Sequence, residues 1–295
     1  MFRNAVSYSF NENFTLTIDQ IENALSTKPK RSLSSQEIES WAAEEFIKGD
    51  DRYCLDATNG FILFKFNIQT RVLPAQVVNK AVNDKIEIIK EKEQRNISKK
   101  ERAEIKENIL FELIPRSFIK EKCVNCMVST NDRRLIVDTQ SFAMADEITS
   151  LLRSCLGSLA ITPLSALYHI PETITQWRNK PPADIELLEE FQLISSLDRT
   201  IKVNHKNTSL YSNQVNEHIE EGMILKYVRM SFDEKIEFTL DDLFLLRKIK
   251  FAVEPENKTE DEYENIQSQA FLESKELNLL LDKIIANISS IPNRA

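Results

Sequence analysis

Residues Val72–Phe118 read VLPAQVVNKAVNDKIEIIKEKEQRNISKKERAEIKENILFELIPRSF and contain two amphipathic helical patterns joined by a short polar break. Pro74 suits the first turn of a helix, because an amide proton there would have no intrahelical partner. Apolar residues then recur every three or four positions, which predicts one buried stripe on each helix. The pattern Ser98–Glu101 is a capping box that restarts the helix, and Pro115 ends it. The sequence therefore predicts a helical hairpin over residues 74–114.

Shorter patterns before this stretch predict two helices and a β-hairpin. Capping patterns at Thr17–Gln20 and Ser34–Glu37 predict helices over residues 17–25 and 36–47. Apolar runs on both sides of an Asn-Gly pair predict a β-hairpin over residues 53–66.

The rest of the chain alternates irregularly between strand patterns and helix patterns. The remaining predicted strands are residues 4–18, 123–129, 134–137, 191–194, 200–203, 223–232, 235–240 and 245–251. The remaining predicted helices are residues 142–156, 171–177 and 213–221, and C-terminal helices follow an acidic loop at 254–264. This order predicts an α+β fold in which helices flank antiparallel sheets. We predict one α+β region over residues 1–165, which contains the hairpin, and a second over 166–295.

The composition is that of a globular protein. The 295 residues are 42% hydrophobic and 28% charged, and no apolar run reaches the roughly 20 residues that span a bilayer. The first residues become polar too early for a signal peptide. Four cysteines are too few for a disulfide framework in a chain of this length. These observations predict a cytoplasmic location without membrane association.

The net charge of −8 is unevenly distributed along the chain. Five basic residues stand against two acidic ones in residues 95–106, and the same ratio holds in 116–134. The acidic surplus lies at 184–190 and 254–264. Because salt screens charges beyond about 8 Å, a phosphate group responds to its neighbours and not to the total charge. An acidic protein can therefore carry a basic binding surface.

Residues with the chemistry of a catalytic or metal site are sparse. The spacing Cys123–Cys126 fits a metal or redox site, but a second ligand pair is missing and the run is strand-like, which favours buried cysteines. Three histidines are scattered, and no glycine-rich phosphate loop or nucleophile pattern occurs. The sequence predicts no catalytic residue, no metal site, no cofactor and no enzymatic activity.

Two features near the hairpin allow alternative interpretations. The charged hairpin is either a solvated surface with ion pairs such as Glu87–Lys90, or a phosphate-binding surface at a turn with few acidic residues. Phe118 is either a core residue, or an exposed aromatic that stacks or wedges against DNA.

The stretch that ends in LIPRSF at 113–118, together with LLRSCLGSL at 151–159 and TPLS at 162–165, resembles the bacterial recombination-associated RdgC family. The resemblance implies a homodimer closed into a ring, with a basic hole through which duplex DNA passes. It also implies binding to DNA with little sequence preference, restraint of the RecA recombinase, and association with the nucleoid.

The resemblance also implies which residues contact DNA. The residues of this sequence that match the family's motif are Arg95, Lys99, Arg102, Arg116 and Phe118. Neighbouring basic residues complete the predicted DNA-binding set, which is Arg95, Lys99, Lys100, Arg102, Arg116, Phe118, Lys120 and Lys122. Asn96 and Ser98 stand where members of that family tend to have lysine, which implies weaker binding. The basic pair Arg133–Arg134 replaces a more neutral turn of the family and would compensate.

Three functional hypotheses follow from the sequence and from what the resemblance implies. The first is a DNA-binding ring that modulates recombination. The second is a protein-interaction module that acts on the recombination machinery without binding DNA. The third is a metal-dependent nuclease that uses clusters of Asp and Glu.

Overall fold

A computed structural model of the chain describes residues 2–11, 15–168, 170–255 and 259–288. Two antiparallel sheets and eight α-helices are present in these residues. The strands are β1 Val6–Phe10, β2 Glu39–Glu44, β3 Cys54–Asp56, β4 Phe61–Val72, β5 Phe118–Ser129, β6 Arg134–Val137, β7 Ile161–Pro163, β8 Ile185–Ser195, β9 Lys202–Lys206, β10 Met223–Phe232, β11 Ile236–Asp241 and β12 Leu246–Phe251. The helices are α1 Ile18–Leu25, α2 Ala75–Glu93, α3 Lys99–Leu113, α4 Phe142–Leu156, α5 Leu164–Leu167, α6 Pro171–Trp177, α7 Asn213–Glu220 and α8 Glu262–Ala286.

The two sheets differ in the order in which their strands follow one another along the chain. One sheet has the strand order β2-β4-β5-β6-β1-β7, with β3 paired to β4, so N-terminal and central segments interleave. The other has the order β12-β11-β10-β8-β9, which is a local meander with β8 and β9 added on one side. These findings confirm the predicted α+β class with antiparallel sheets.

The chain forms two compact units. The larger unit contains residues 1–27, 45–65 and 124–295, and the smaller unit contains 28–44 and 66–123. Strands β4 and β5 each continue from one unit into the other. The predicted domain boundary near residue 165 stays a prediction.

Each unit has its own apolar core. In the larger unit, Phe191 and Phe238 from the five-stranded sheet are buried together with Leu277 and Leu281 from α8. In the smaller unit, the stripe predicted for the hairpin is the core: Val78, Val82, Ile86, Ile105 and Ile109 are buried against one another.

Local signals in the sequence predicted many elements correctly. Strand β10 has the predicted bounds, and α4 begins after Ser141 and ends at Gly157 as expected. At Thr17–Gln20 both hydrogen bonds of the capping box form, at 3.3 and 2.9 Å. The turn before β4 places Gly60 at a φ of +81°, where a Cβ would collide with Thr130.

We expect replacement of Thr17 by Ala to destabilise the larger unit. The substitution removes the hydroxyl that accepts the Gln20 amide, and losing such a cap costs about 1 kcal/mol. Urea unfolding should show a lower midpoint for T17A and a nearly unchanged one for T17S, which keeps the hydroxyl. Equal midpoints for T17A and the unchanged protein would contradict the role of this cap.

The helix predicted over residues 36–47 is wrong, because this segment contains strand β2. The Ser34–Glu37 contact does form, since the Ser34 amide donates to Glu37 Oε2 at 2.9 Å. It closes a turn, after which β2 pairs with β4. Pairing with a distant strand outweighs a local helix signal here.

Smaller differences concern the ends of elements. Strand β5 begins at Phe118, five residues before the predicted strand, and β9 is shifted to Lys202–Lys206. One helix, α8 at Glu262–Ala286, replaces the several predicted C-terminal helices in the described part of the chain. In the predicted strand region 4–18, β1 is confirmed, residues 12–14 lie outside the described part, and α1 begins at Ile18.

Candidate nucleic-acid interface

The hairpin in the smaller unit is nearly neutral as a whole. Residues 74–114 contain nine Lys and Arg against eight Asp and Glu. The predicted basic character therefore does not extend over the hairpin. Any phosphate-binding surface must come from how these charges are distributed around the two helices.

At the turn of the hairpin, two carboxylates neutralise the charge of Arg95, one of the predicted DNA contacts. Gln94 ends α2 in the left-handed conformation, with φ of 53°, and the chain then brings Arg95 to two carboxylates. Arg95 donates to Glu93 at 2.6 Å and to Glu101 at 2.5 Å. The hydrogen bonds that Arg95 donates to Glu101 and to Glu93 raise the pKa of Arg95, and the bond to Glu101 lowers the pKa of that carboxyl group. The expectation that Arg95 has few acidic partners is wrong.

Three basic residues of α3 lie on one side of that helix. Lys99, Arg102 and Lys106 are three and four positions apart, and this spacing places side chains on one face. Arg102 Nη2 donates to Asn83 Oδ1 on α2 at 3.0 Å, so this side continues onto α2, where Lys90 follows Asn83 by seven positions. We call Lys90, Lys99, Arg102 and Lys106 the basic flank.

The basic flank is open to solvent. All four side chains are exposed, and none forms an ion pair with another described residue. The predicted ion pair between Glu87 and Lys90 does not form among the described residues. Four unpaired cations on one side of a hairpin give a local positive potential despite the neutral total.

The opposite side of the hairpin, which we call the outer flank, has a different character. Helical spacing places Lys100 of α3 there with the acidic residues Glu104 and Glu107. It also carries exposed apolar side chains, of which Phe111 is the largest and is 65% exposed. Lys99 and Lys100 are neighbours in sequence, but they point about 100° apart around the helix axis.

A second basic group lies where the chain leaves the hairpin. A single 3-10 turn, Ile114–Arg116, follows α3, and β5 begins at Phe118. Arg116 is exposed and forms no ion pair with a described residue. Phe118 is 86% exposed, so the interpretation of this residue as part of the core is wrong.

Alternation along β5 places three predicted contacts on one face. Glu121 Oε1 accepts a hydrogen bond from Gln69 at 2.9 Å, and Cys123 Sγ lies 3.1 Å from Glu44 Oε2, which fixes the face to which these odd-numbered residues point. Phe118, Lys120 and Lys122 therefore lie on the other face. All three are exposed. We call Arg116, Phe118, Lys120 and Lys122 the strand group.

The two basic groups lie at different points along the hairpin. Helix α3 has 15 residues, which corresponds to a length of about 22 Å. Lys99 is at its first residue, and Arg116 follows its last by three. Consecutive phosphates of one DNA strand are spaced by about 3.4 Å along the DNA axis. The length of α3 therefore corresponds to about six base pairs.

Sequence reasoning missed two members of the basic flank, Lys90 and Lys106. The signal for Lys106 was present, because its spacing of four from Arg102 and seven from Lys99 follows the helix period. Lys90 could not be assigned from the sequence, since the contact between Arg102 and Asn83 joins two different helices.

Arg134 is not a candidate DNA contact, because its side chain is buried in the larger unit. Arg134 is only 9% exposed, and its guanidinium binds Asp282 at 2.5 Å and Asn278 at 2.9 Å on α8. Arg133 donates to the carbonyl oxygen of Asn11. The expectation that this pair compensates for Asn96 and Ser98 is therefore wrong for Arg134.

The cysteine pair does not form a metal or redox site in this structure. Cys123 and Cys126 are three positions apart in β5, so their side chains lie on opposite faces of the sheet. Cys126 is fully buried, and burial raises the pKa of its thiol. Among the described residues, no three His, Cys, Asp or Glu side chains are arranged to hold a metal ion.

None of the helices described here combines the length and the apolar character that crossing a bilayer requires.

Comparison with known proteins identifies relatives along nearly the whole chain. A family model described as "Putative exonuclease, RdgC" matches residues 1–291. Recombination-associated protein RdgC of Pseudomonas aeruginosa strain LESB58 is 30% identical over 253 residues, which cover 85% of this chain and 83% of that protein. The protein of the same name from Shewanella frigidimarina is 30% identical over 255 residues, covering 86% and 84%. That from Pseudomonas putida strain GB-1 is 26% identical over 282 residues, covering 95% and 92%. The chain belongs to the RdgC family.

Proposed function

We propose that this protein binds duplex DNA without sequence preference and acts in homologous recombination. The observation that carries the proposal is the basic flank, where four exposed cations on one side of a hairpin have no acidic partner among the described residues. Lysine and arginine contact phosphates and release counterions, which gives affinity without sequence information. The names of the relatives support the association with recombination.

The strand group gives the proposed surface a second kind of contact. Phe118 is an exposed aromatic next to Arg116 and Lys120, and aromatic rings can stack on bases or wedge between base pairs. Phosphate contacts at the basic flank would then fix the protein on the duplex, while Phe118 adds a contact that does not depend on salt.

We further propose that two copies form a closed ring that encircles DNA and restrains RecA by occupying its substrate. An isologous two-fold dimer presents the same basic surface twice, and both copies can face a common opening. Such a protein would be associated with the nucleoid. The mass in solution, measured together with binding to linear and end-blocked duplex, tests this arrangement. A monomer, or a dimer that binds both DNAs equally fast, would contradict threading through a closed ring.

Binding should weaken steeply as salt rises. Each phosphate neutralised contributes a slope of about −0.9 to the plot of log affinity against log salt concentration. If the four residues of the basic flank each contact a phosphate, they contribute about −3.6 for each protomer. Fluorescence anisotropy with a random-sequence duplex at several salt concentrations measures the slope. A flat response would rule out the electrostatic mechanism.

A second candidate is a docking surface for a protein partner. The observation that favours it is the outer flank, where Val77, Ile88 and Phe111 are exposed apolar side chains on the hairpin. In this case DNA binding would be incidental. A gel-shift assay separates the two, because the docking hypothesis predicts no binding of random duplex at physiological salt.

A third candidate is nuclease activity, which the description of the family model favours. Incubation of the same end-labelled duplex with magnesium or manganese tests it directly. Shortening of the strands by the unchanged protein would establish the activity. We propose a binding protein without chemistry of its own, so we expect the strands to keep their length.

A further inference from the structure

Arg71, near the end of β4, uses its whole guanidinium group to bind backbone carbonyl oxygens. Nε donates to Glu37 O at 2.9 Å, and Nη2 donates to Ser34 O at 3.1 Å. Nη1 donates to Ile114 O at 3.0 Å and also lies within 3.5 Å of the carbonyl oxygens of Pro115 and Ser117. No carboxylate among the described residues pairs with this side chain.

These contacts are made at the chain segment that carries the strand group. The last carbonyl groups of α3 and of the 3-10 turn have no partner within the helix, and the end of a helix attracts positive charge. Ile114 O also accepts hydrogen bonds from the amide and the hydroxyl of Ser117, at 3.2 and 2.8 Å. The turn between α3 and β5 is therefore fixed on both sides of Arg116.

We propose that Arg71 is a positioning residue for DNA binding, which acts by holding the Ile114–Ser117 turn so that Arg116 and Phe118 face the duplex. The proposal rests on the proposed function and deepens it. An aromatic ring that is 86% exposed has few contacts of its own to orient it, so its direction depends on the backbone at Ser117. Fixing that backbone before binding reduces the conformational entropy that is lost on binding.

Lysine cannot replace Arg71 in this role. The guanidinium group is a rigid planar fork with five N–H donors, whereas an ammonium group has three donors at one point. The substitution R71K keeps the charge but cannot reach both Ser34 and Ile114. We expect R71K to lower the affinity for random duplex about tenfold. In that variant Arg116 and Phe118 are no longer held in place, so the conformational entropy of both side chains is lost on binding.

A matched control makes the same chemical change elsewhere. Arg52 is an exposed arginine of the larger unit that pairs with Asp50 at 2.7 Å. We expect R52K to leave the affinity within about twofold of the unchanged protein. An equal loss for R52K and R71K would overturn the proposal.

A comparison in two backgrounds separates positioning from a general role in folding. If Arg71 acts through Arg116 and Phe118, then R71K should have almost no effect on affinity in the double variant R116Q/F118A. The unfolding midpoint, measured in parallel, monitors stability. The same loss of affinity in both backgrounds would show that Arg71 does not act through these two residues.

Hydrogen exchange tests the same contact without DNA, first in the unchanged protein and then in R71K. The Ser117 amide, which donates to Ile114 O, should exchange slowly in the unchanged full-length protein. In R71K it should exchange faster, while the amides of β10 keep their protection. Rapid exchange of Ser117 in the unchanged protein would overturn the proposed role of Arg71. Failure of the unchanged protein to bind duplex would instead contradict the proposed function, and the two results are distinguishable.

Discussion

Replacing Lys99, Arg102 and Lys106 together by glutamate is expected to lower the affinity for random duplex DNA by more than about 100-fold at physiological salt. The loss of three phosphate contacts alone accounts for a factor of this size at 0.15 M salt. Reversing the charges adds repulsion between the new carboxylates and the phosphates. The slope of log affinity against log salt should become less steep by about 2.7, because three fewer counterions are released for each protomer.

The outer flank supplies a control with the same change in net charge. Lys100 of α3 lies on that side of the hairpin, helical spacing places Lys85 and Lys92 of α2 there with Ile88, and all three lysines are exposed. The variant K85E/K92E/K100E should therefore bind nearly as tightly as the unchanged protein. It also tests Lys100, which the sequence placed in the binding set and the structure places away from the basic flank. Equal losses in the two triple variants would contradict a phosphate-binding surface limited to one side.

The elements that sequence reasoning predicted correctly are those with local causes. The caps at Thr17, Ser98 and Ser141 use side chains that bond to the amide three residues further along, so the pattern is contained in a short stretch of sequence. The hairpin core follows a 3.6-residue period for the same reason. Strand β2 was missed because its partner, β4, lies about 20 residues further along the chain.

The candidate site was only partly predictable. The sequence locates the basic residues but does not show which acidic residues reach them. Glu101 stands six positions from Arg95, a spacing that no single helix brings together, and only the turn at Gln94 allows the ion pair. The burial of Arg134 depends on Asn278 and Asp282 of α8, which lie more than 140 residues away in sequence. Such contacts depend on tertiary packing, which a linear pattern does not contain.

The exposure of Phe118 is the second feature of the site that the sequence left open, and it leads to the other large expected effect. Replacing Phe118 by Ala should weaken binding to random duplex by about 5- to 150-fold, since stacking of an aromatic ring on a base contributes about 1–3 kcal/mol. The side chain is 86% exposed, so its removal leaves no cavity and the unfolding midpoint should not fall.

Phe111 provides the matched control for this substitution. It is also an exposed phenylalanine of the smaller unit, at 65%, but it lies on the outer flank. F111A should therefore leave the affinity for DNA almost unchanged.

The stacking contact of Phe118 and the phosphate contacts of the basic flank also differ in their response to salt. F118A should lower the affinity by the same factor at every salt concentration, because an uncharged ring releases no counterions, whereas the glutamate variants change the slope. A steep change of slope in F118A would show that the ring acts by orienting Arg116 or Lys120 and not by touching the bases.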